Sequence, residues 1–328
     1  MARAAVVATG RTPIGRAYKG AFNNTSGAAL GGHAIAGALG VIDLDPGLVD
    51  DVIMGCALQQ GSTGYNIARQ AALRAGLPVT VPGATIDRQC SSGLMAVAAA
   101  AKQVIVDGMQ VVVGGGVESI SLVQNEHMNM HRAQDDWLLD QVPTLYMPML
   151  HTAEIVAERY GVDRERQDQM AVVSQRRAGA AQVAGVFDAE IVPITVTTLV
   201  KDRETGEISS FEQTVSRDEG VRNDTTADGL ASLRTVLKPA DVGWEPSVTA
   251  GNSSQLSDGA SANVLMDSDY AAALGIPDGD VRAAAAVFTG ESERHVDVAF
   301  VNDVPFINAV QIGLGAELRS HLDGVRKR

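Results

Sequence analysis

The chain has 328 residues, of which 45% are hydrophobic and 4% aromatic, and its formal net charge is −13. This length suffices for a large hydrophobic core and for more than one domain, and the hydrophobic content excludes a disordered chain. The acidic balance argues against a nucleic-acid partner, because such proteins present a basic surface to phosphates.

The cysteine count and the apolar runs indicate the compartment. Two cysteines, Cys56 and Cys90, are too few for a disulfide framework, which favours a reducing environment. The first residues do not have the pattern of a secretory signal, and no apolar run reaches the length of a bilayer. We therefore expect a cytoplasmic protein without a membrane partner.

The first third of the chain predicts alternating strands and helices. Short apolar runs bounded by Gly and Pro indicate buried strands, and longer runs of small apolar residues indicate helices. This alternation is typical of an α/β fold with a mostly parallel sheet covered on both faces. The predicted strands are 4–8, 52–57, 84–86 and 110–119, and the predicted helices are 28–39, 66–75 and 93–106.

Cys90 is the candidate nucleophile. It follows the strand-like run 84–86 and precedes the predicted helix 93–106, which Ser91 or Ser92 could cap. A helix N-terminus favours the thiolate form of a cysteine placed there, and a thiolate is a nucleophile for acyl transfer. The alternative is an inert core thiol, which is the interpretation we favour for Cys56 inside its strand.

The middle of the chain is less regular. Residues 121–150 are polar and rich in Met, which favours an inserted functional loop. His127 and His131 have helical spacing but lack the acidic partner of a zinc-protease motif, so we expect no metal site. Beyond this loop the pattern predicts helices at 152–160 and 164–183, a strand at 190–199, and a small polar loop at 249–260 that is either a ligand-contacting loop or an ordinary turn.

Six stretches of the chain form a recognisable set. They are Arg-Thr-Pro-Ile-Gly at 11–15, the stretch 66–72, Arg-Gln-Cys-Ser-Ser-Gly at 88–93, Gly-Gly-Gly-Val-Glu-Ser at 114–119, Thr-Ala-Glu at 152–154, and 249–254 with Asp-Gly-Ala at 258–260. Together they resemble the thiolases, a family of acyl-CoA C-acyltransferases. Each stretch alone is weakly specific, but they occur in the family's order over roughly residues 1–270.

The resemblance implies a layered αβαβα fold built from two similar halves. Residues 1–120 and 241–270 would form the N-terminal α/β domain, and 121–240 an inserted loop domain that holds coenzyme A. Residues 271–328 would form a short divergent segment, leaving the second half incomplete.

The resemblance also implies the site residues. Cys90 would be the nucleophile, Met149 would line the acyl pocket, Arg222 would lie near the nucleotide end of coenzyme A, and Ser254 would contact the pantetheine. Arg222 could equally be a solvated loop charge. Coenzyme A and acyl-CoA would be substrates, with no permanently bound cofactor, and the protein would associate with itself as a dimer or tetramer.

The chain departs from the family after residue 270. The family's Asn-Glu-Ala-Phe, Gly-His-Pro and Cys-x-Gly stretches are absent, and no cysteine follows Cys90. Truncation, an altered reading frame and true divergence all explain this, and replacement of the missing histidine by His295 or His321 stays open.

Three functions follow as alternatives. The first is an acyl-CoA C-acyltransferase that cleaves 3-ketoacyl-CoA or condenses acetyl-CoA, with impaired activity in this chain. The second is a non-catalytic protein of the thiolase fold that binds acyl-CoA, and the third is a ketosynthase-like condensing enzyme. Neither the acyl chain length nor the direction of the reaction follows from the residues.

Overall fold

The computed structural model describes residues 3–277 and the backbone of two short strands, 299–301 and 304–306. A six-stranded sheet lies at its centre, with the order β1-β8-β5-β3-β4 and with β2 paired to β8. The strands are β1 (Ala4–Arg11), β2 (Gly15–Arg16), β3 (Asp51–Gly55), β4 (Gly83–Ile86), β5 (Val111–Ser119) and β8 (Ser257–Asp267).

Most strands of this sheet run in the same direction. β3 is parallel to both β4 and β5, whereas β8 is antiparallel to β1 and to β5, between which it lies. The predicted mostly parallel sheet is therefore confirmed, with β8 as the strand that runs the opposite way. The apolar run at 262–266 lies within β8, although a short apolar run taken alone fits a helix or a strand.

Helices cover both faces of the sheet. Side chains alternate between the faces along a strand, so Val52 and Met54 of β3 join one core cluster and Ile53 joins the other. The first cluster contains the buried side of α1 (Gly27–Val41) and α2 (Ile67–Arg74), and the second contains α3 (Ser92–Lys102). These are three layers, αβα, of the predicted αβαβα arrangement.

A second region occupies most of 120–242. Its helices are α4 (Ile120–Val123), α5 (Asp136–Gln141), α6 (Met149–Tyr160), α7 (Arg164–Val183), α8 (Ala227–Ala231) and α9 (Pro239–Val242). The hairpin of β6 (Ile194–Lys201) and β7 (Ile208–Val215) forms a separate two-stranded sheet. Side-chain hydrogen bonds attach this hairpin to the turn before α1: Thr198 Oγ1 donates to the Ala21 carbonyl, and Leu199 N–H donates to Asn23 Oδ1.

The last described elements are one short helix, which follows β8 directly, and two short strands. α10 (Ser268–Ala273) begins at a cap in which Asp267 accepts hydrogen bonds from two backbone N–H groups, and β9 (Ala299–Val301) pairs antiparallel with β10 (Val304–Phe306). His295 and His321 lie outside the described residues.

The structure corrects two local predictions at α3. Ser91 occupies the N-cap position, but its hydroxyl donates to the Arg88 carbonyl and makes no capping hydrogen bond. Ser92 does not cap either, because it is the first residue of the helix and its hydroxyl bonds back into the preceding loop. At the other end, the α-helix stops at Lys102 and continues as a π-helical turn over Gln103–Asp107, which ends at Gly108.

Candidate active site

Cys90 lies exposed in the short loop between β4 and α3, two residues before the helix begins. The preceding Gln89 has a left-handed backbone with φ 49°, which turns the chain sharply from the strand into the helix. The side chain of Asp87 supports this turn by accepting the Gln89 N–H at 2.7 Å. The predicted location of Cys90 at a helix N-terminus is therefore what the structure shows.

Ser92 fastens the loop that carries Cys90. Its hydroxyl accepts the Arg88 N–H at 2.8 Å and donates to the Gln89 carbonyl at 2.6 Å. Ser92 is itself buried, so these two hydrogen bonds are shielded from competing water. The buried Ser92 hydroxyl thus fixes the backbone of the two residues before Cys90, while Cys90 itself is exposed.

Glycines let the first turn of α3 lie directly on the sheet. A Cβ atom at Gly55, the last residue of β3, would overlap the Ser92 carbonyl carbon and the Gly93 nitrogen. A Cβ atom at Gly116 of β5 would lie 3.2 Å from Gly93 Cα. Such close approach is available only to residues without a side chain. The spacing between helix and sheet below Cys90 is therefore set by backbone atoms.

Cys56 has the opposite environment. It is buried just after β3, and its thiol lies 3.5 Å from Glu118 Oε1. Burial, and then the negative charge of Glu118, raise the pKa of Cys56 to about 12. A thiol with this pKa is a poor nucleophile near neutral pH, so Cys56 is the core cysteine that its position in the sequence indicated.

Glu118 fixes the turn that follows β3. Besides the Cys56 thiol, its carboxylate accepts the N–H groups of Ala57 at 2.9 Å and Leu58 at 3.4 Å. Sequence reasoning had noted Glu118 only as part of a motif, because its partners lie some 60 residues earlier in the chain.

A cleft of about 500 Å³ lies between α7 and the loop that precedes β8. The loop contributes Ser254, one of the predicted ligand-contacting residues, and α7 contributes Gln175. The third wall is the segment after β7, and the Pro-containing turn after β1 reaches the cleft through Ile14. The remaining lining residues include Gln167, Met170, Ser174, Asp218, Val221 and Asn252.

The other predicted site residues are distributed around this cleft. Arg222 lies at its edge, because its N–H donates to Gln175 Oε1 at 2.8 Å. Met149 is 72% exposed at the first position of α6 and does not line the cleft. Cys90 is also outside the cleft lining. Of the four predicted site residues, Ser254 lines this cleft and Arg222 adjoins it through its backbone N–H, whereas Met149 and Cys90 are not among its lining residues.

A buried carboxylate anchors the loop that carries Ser254. Glu154 of α6 is fully buried and accepts the N–H groups of Ser247 at 3.0 Å and Val248 at 2.7 Å, together with the Ser247 hydroxyl. An ionised acceptor with several donors forms strong hydrogen bonds. The Thr-Ala-Glu stretch at 152–154 therefore has a structural explanation, which the sequence alone did not provide.

A second anchor joins α7 to the same loop. Asp168 accepts the side-chain amide of Asn252 at 3.0 Å and is paired with Arg164 at 2.7 Å, one turn earlier on α7. The Asn252 side chain also receives the Thr249 N–H. The loop is thus a hydrogen-bonded wall of the cleft.

The described residues contain no cluster of three or more His, Cys, Asp or Glu side chains able to hold a metal ion. His127 and His131 lie exposed in the irregular region. Within the same residues, every helix is too short or too polar to cross a bilayer.

The structure thus has an exposed thiol at a helix N-terminus and a cleft that this thiol does not line. The sequence profile of the thiolase N-terminal domain matches residues 4–269. The chain therefore belongs to the thiolase family, whose members are acyltransferases. The resemblance to this family that the motifs predict is confirmed.

Individual relatives agree with this assignment. The chain is 42% identical over 279 residues to the 3-ketoacyl-CoA thiolase of Bacillus subtilis, a match that covers 84% of the chain and 68% of the relative. It is 42% identical over 269 residues to the peroxisomal 3-ketoacyl-CoA thiolase B of Mus musculus, covering 81% of the chain and 60% of the relative. The chain thus spans about two thirds of the length of these relatives.

Solved structures show the same fold. The acetyl-CoA acetyltransferase of Bacillus anthracis superposes with a TM-score of 0.69 at 36% identity, covering 85% of this chain and 68% of that one. Human mitochondrial 3-ketoacyl-CoA thiolase in complex with CoA superposes with a TM-score of 0.68 at 33% identity, covering 85% and 69%. The predicted fold class is confirmed for the N-terminal part.

Proposed function

We propose that this protein transfers acyl groups between thioesters of coenzyme A through a covalent thioester on Cys90. The observation that carries the proposal is the exposed Cys90 at the N-terminus of α3, in contrast to the buried Cys56. The names of the relatives favour a thiolase over a ketosynthase-like condensing enzyme. The relatives include bacterial and peroxisomal proteins, and we propose a cytoplasmic location for this one.

The first half-reaction forms the acyl-enzyme. The Cys90 thiolate attacks the keto carbon of a 3-ketoacyl-CoA, and the bond between that carbon and the neighbouring CH₂ breaks. The electron pair leaves as the enolate of acetyl-CoA, which takes up a proton. In the second half-reaction the thiolate of free coenzyme A accepts the acyl group and releases Cys90.

The cleft would bind coenzyme A in both half-reactions. In this proposal Ser254 contacts the pantetheine and Arg222 lies near the nucleotide end; Ser254 as a lining residue of the cleft, and the hydrogen bond of the Arg222 N–H to the lining residue Gln175, support it. Met149 at the start of α6 would line the acyl pocket. Residues 1–120 and 241–270 would act as the catalytic domain and 121–240 as the domain that binds coenzyme A, with 271–328 as a divergent segment.

We further propose that the 328-residue chain completes carbon–carbon cleavage poorly. The enolate needs a positioned proton donor, which the family takes from a second cysteine, and no cysteine follows Cys90. Loss of a general acid or base lowers rates by about 10²–10⁴-fold. The second candidate function is binding of acyl-CoA without turnover. It follows if the loss of the proton donor reduces the rate of cleavage to zero.

The test separates acylation from turnover. Mixing the protein with acetyl-CoA and measuring the intact mass should show one acetyl group, which peptide mapping places on Cys90. Steady-state thiolysis of acetoacetyl-CoA should be slow. Cys56→Ala is the matched control, because it removes a thiol without changing the proposed nucleophile.

Two results would contradict the proposal in different ways. Absence of acetylation, or acetylation that persists in Cys90→Ala, would reject the acyl-enzyme. Rapid thiolysis that depends on Cys90 would reject only the impairment and would show that residues after 270 supply the missing groups.

A further inference from the structure

We infer that Arg11 is a positioning residue for the ligand cleft and that it acts through Asp218. The inference rests on the proposed function, in which this cleft binds coenzyme A. Arg11 does not line the cleft, whereas Asp218 does. What Arg11 contributes is therefore the placement of the cleft wall formed by the segment 218–222.

The contact between the two side chains is bidentate. Arg11 Nη1 lies 2.7 Å from Asp218 Oδ1, and Nη2 lies 3.0 Å from Oδ2. The two side chains are only 16% and 18% exposed, so solvent screens the pair weakly. The N–H of Ile14 also donates to Asp218 Oδ1 at 2.8 Å. This geometry fixes the direction of the Asp218 side chain as well as its position.

Arg11 is itself held in place. Its Nε donates to Glu190 Oε1 at 2.7 Å, and its guanidinium carbon lies 5.6 Å from the centre of the Phe187 ring. Its backbone pairs with the same segment, because Arg11 N–H donates to the Glu190 carbonyl and the Arg11 carbonyl accepts from Val192. Arg11 thus joins the end of β1, the segment after α7 and the cleft wall.

Glu219 forms a second anchor for the same wall. Its carboxylate accepts the N–H groups of Arg16 at 2.8 Å and Ala21 at 3.0 Å, and its own N–H donates to the Ile14 carbonyl. Gly20 leaves the space for this carboxylate, because a Cβ atom there would overlap Glu219 Oε2. Glu219 does not line the cleft, so like Arg11 it would position the wall without contacting the ligand.

The opposite side of the wall is held by α7. Gln175 donates to the Gly220 carbonyl at 3.5 Å and accepts the Arg222 N–H at 2.8 Å. The segment 218–222 is therefore fixed between the turn after β1 and the helix. A wall fixed before the ligand arrives avoids the entropic cost of ordering it on binding.

The test compares two reactions that depend differently on the cleft. Arg11→Met removes the hydrogen bonds of the guanidinium group to Asp218 and Glu190. The segment 218–222 then loses its side-chain contact with Arg11 and is held less firmly. We expect the dissociation constant for coenzyme A, measured by titration calorimetry, to rise about tenfold. Acetylation of Cys90 by p-nitrophenyl acetate, a donor without a nucleotide, should stay within about twofold, because it does not use the cleft.

Three further variants separate positioning from general stability. Arg203→Met removes the same charge from the exposed turn between β6 and β7 and should leave both readouts unchanged. Arg11→Lys keeps the charge but loses the bidentate geometry, so its dissociation constant should lie between those of Arg11→Met and the unsubstituted protein. Ile35→Val weakens the core on α1 without touching the cleft and should not change the affinity for coenzyme A.

Glu219→Gln provides a second measurement should Arg11→Met fail to fold. It keeps one acceptor oxygen and should weaken coenzyme A binding in the same direction. Unchanged affinity in Arg11→Met, or in Glu219→Gln should Arg11→Met fail to fold, would overturn the inference while the proposed function stands. Equal loss in Ile35→Val, or parallel loss of acetylation in Arg11→Met, would also overturn it. No coenzyme A binding by the unsubstituted protein would overturn both proposals.

Discussion

The two cysteines differ in surroundings more than in sequence context. Cys90 is exposed before α3, whereas Cys56 is buried beside Glu118 with its pKa raised to about 12. We expect iodoacetamide at pH 8 to label Cys90 first, as measured by peptide mass mapping. Cys90→Ala should abolish rapid labelling and Cys56→Ala should not. Preferential labelling of Cys56 would contradict the assignment of the nucleophile.

A buried carboxyl group gives the fold a pH dependence. Burial raises the pKa of Asp258 above its ordinary 3.8, and the hydrogen bonds from Ser121 offset part of this effect. An acid whose pKa is raised on folding binds more protons in the folded state, so stability falls as pH rises from about 4 through the raised pKa. Asp258→Asn should remove this decrease in stability, because asparagine does not titrate.

The measurement for Asp258 is the free energy of unfolding in urea at several pH values. The stability of Asp258→Asn relative to the unsubstituted protein should increase as pH rises through that window and then level off. Ser121→Ala should widen the window, because it removes the hydroxyl hydrogen bond that lowers the pKa of Asp258, while the backbone N–H of residue 121 still donates to the carboxyl group. A constant difference between pH 4 and pH 8 would contradict the prediction.

At the scale of elements, the contact between β3 and α3 determines where the nucleophile stands. Gly55→Ala places a methyl group against the backbone of Ser92 and Gly93, and overpacking of this kind costs about 1–3 kcal/mol. We expect lower stability in urea and slower acetylation of Cys90. Gly40→Ala is the control, because no atom lies within 4 Å of its Cβ position in α1; acetylation as slow in this control would contradict the prediction.

The contact between α6 and the loop before β8 is polar and buried. Glu154→Leu leaves the N–H groups of Ser247 and Val248 without an acceptor, at about 1–3 kcal/mol for each unsatisfied group. We expect reduced stability in urea and weaker coenzyme A binding, since Ser254 lies on this loop. Glu158→Leu changes an exposed glutamate on the same helix and should have little effect. Glu154→Gln keeps one acceptor oxygen and should restore most of the loss.

Local patterns predicted the elements better than the contacts between them. The helix predicted at 164–183 agrees with α7, because Asp163 caps it and the chain turns at Gly185. The partners of Glu154 and Arg11 are not predictable from local patterns. Val248 lies 94 residues from Glu154, and Asp218 lies 207 residues from Arg11. Motifs marked these residues as notable, but only tertiary structure shows what they bind.

At the scale of the whole molecule, α3, the π-helical turn that follows it and the sheet edge at β4 leave apolar surface exposed among the described residues. Leu94 is 39% exposed, Ile105 48% and Val106 76%, and β4 pairs on one side only. Open edges and apolar patches are typical of interaction surfaces. We expect a dimer or larger oligomer in sedimentation at micromolar concentration.

A charged substitution tests this self-association. Val106→Lys should shift the protein toward the monomer, whereas Val183→Lys on α7, where the side chain is 83% exposed, should not. A monomer in the unsubstituted protein would contradict the prediction, as would an equal shift in both variants.

The position of β8 also determines the order in which the protein can fold. β8 separates β1 from β5, although 245 residues lie between the end of β1 at Arg11 and the start of β8 at Ser257. A ribosome that has delivered only the first 250 residues has therefore made every other strand of the central sheet, but not the one that joins its two parts. Bringing such distant segments together costs loop-closure entropy and slows folding. Until β8 emerges, the edges of β1 and β5 that will pair with it stay unpaired. Exposed strand edges promote aggregation, so this is the interval in which the nascent chain most needs protection by chaperones.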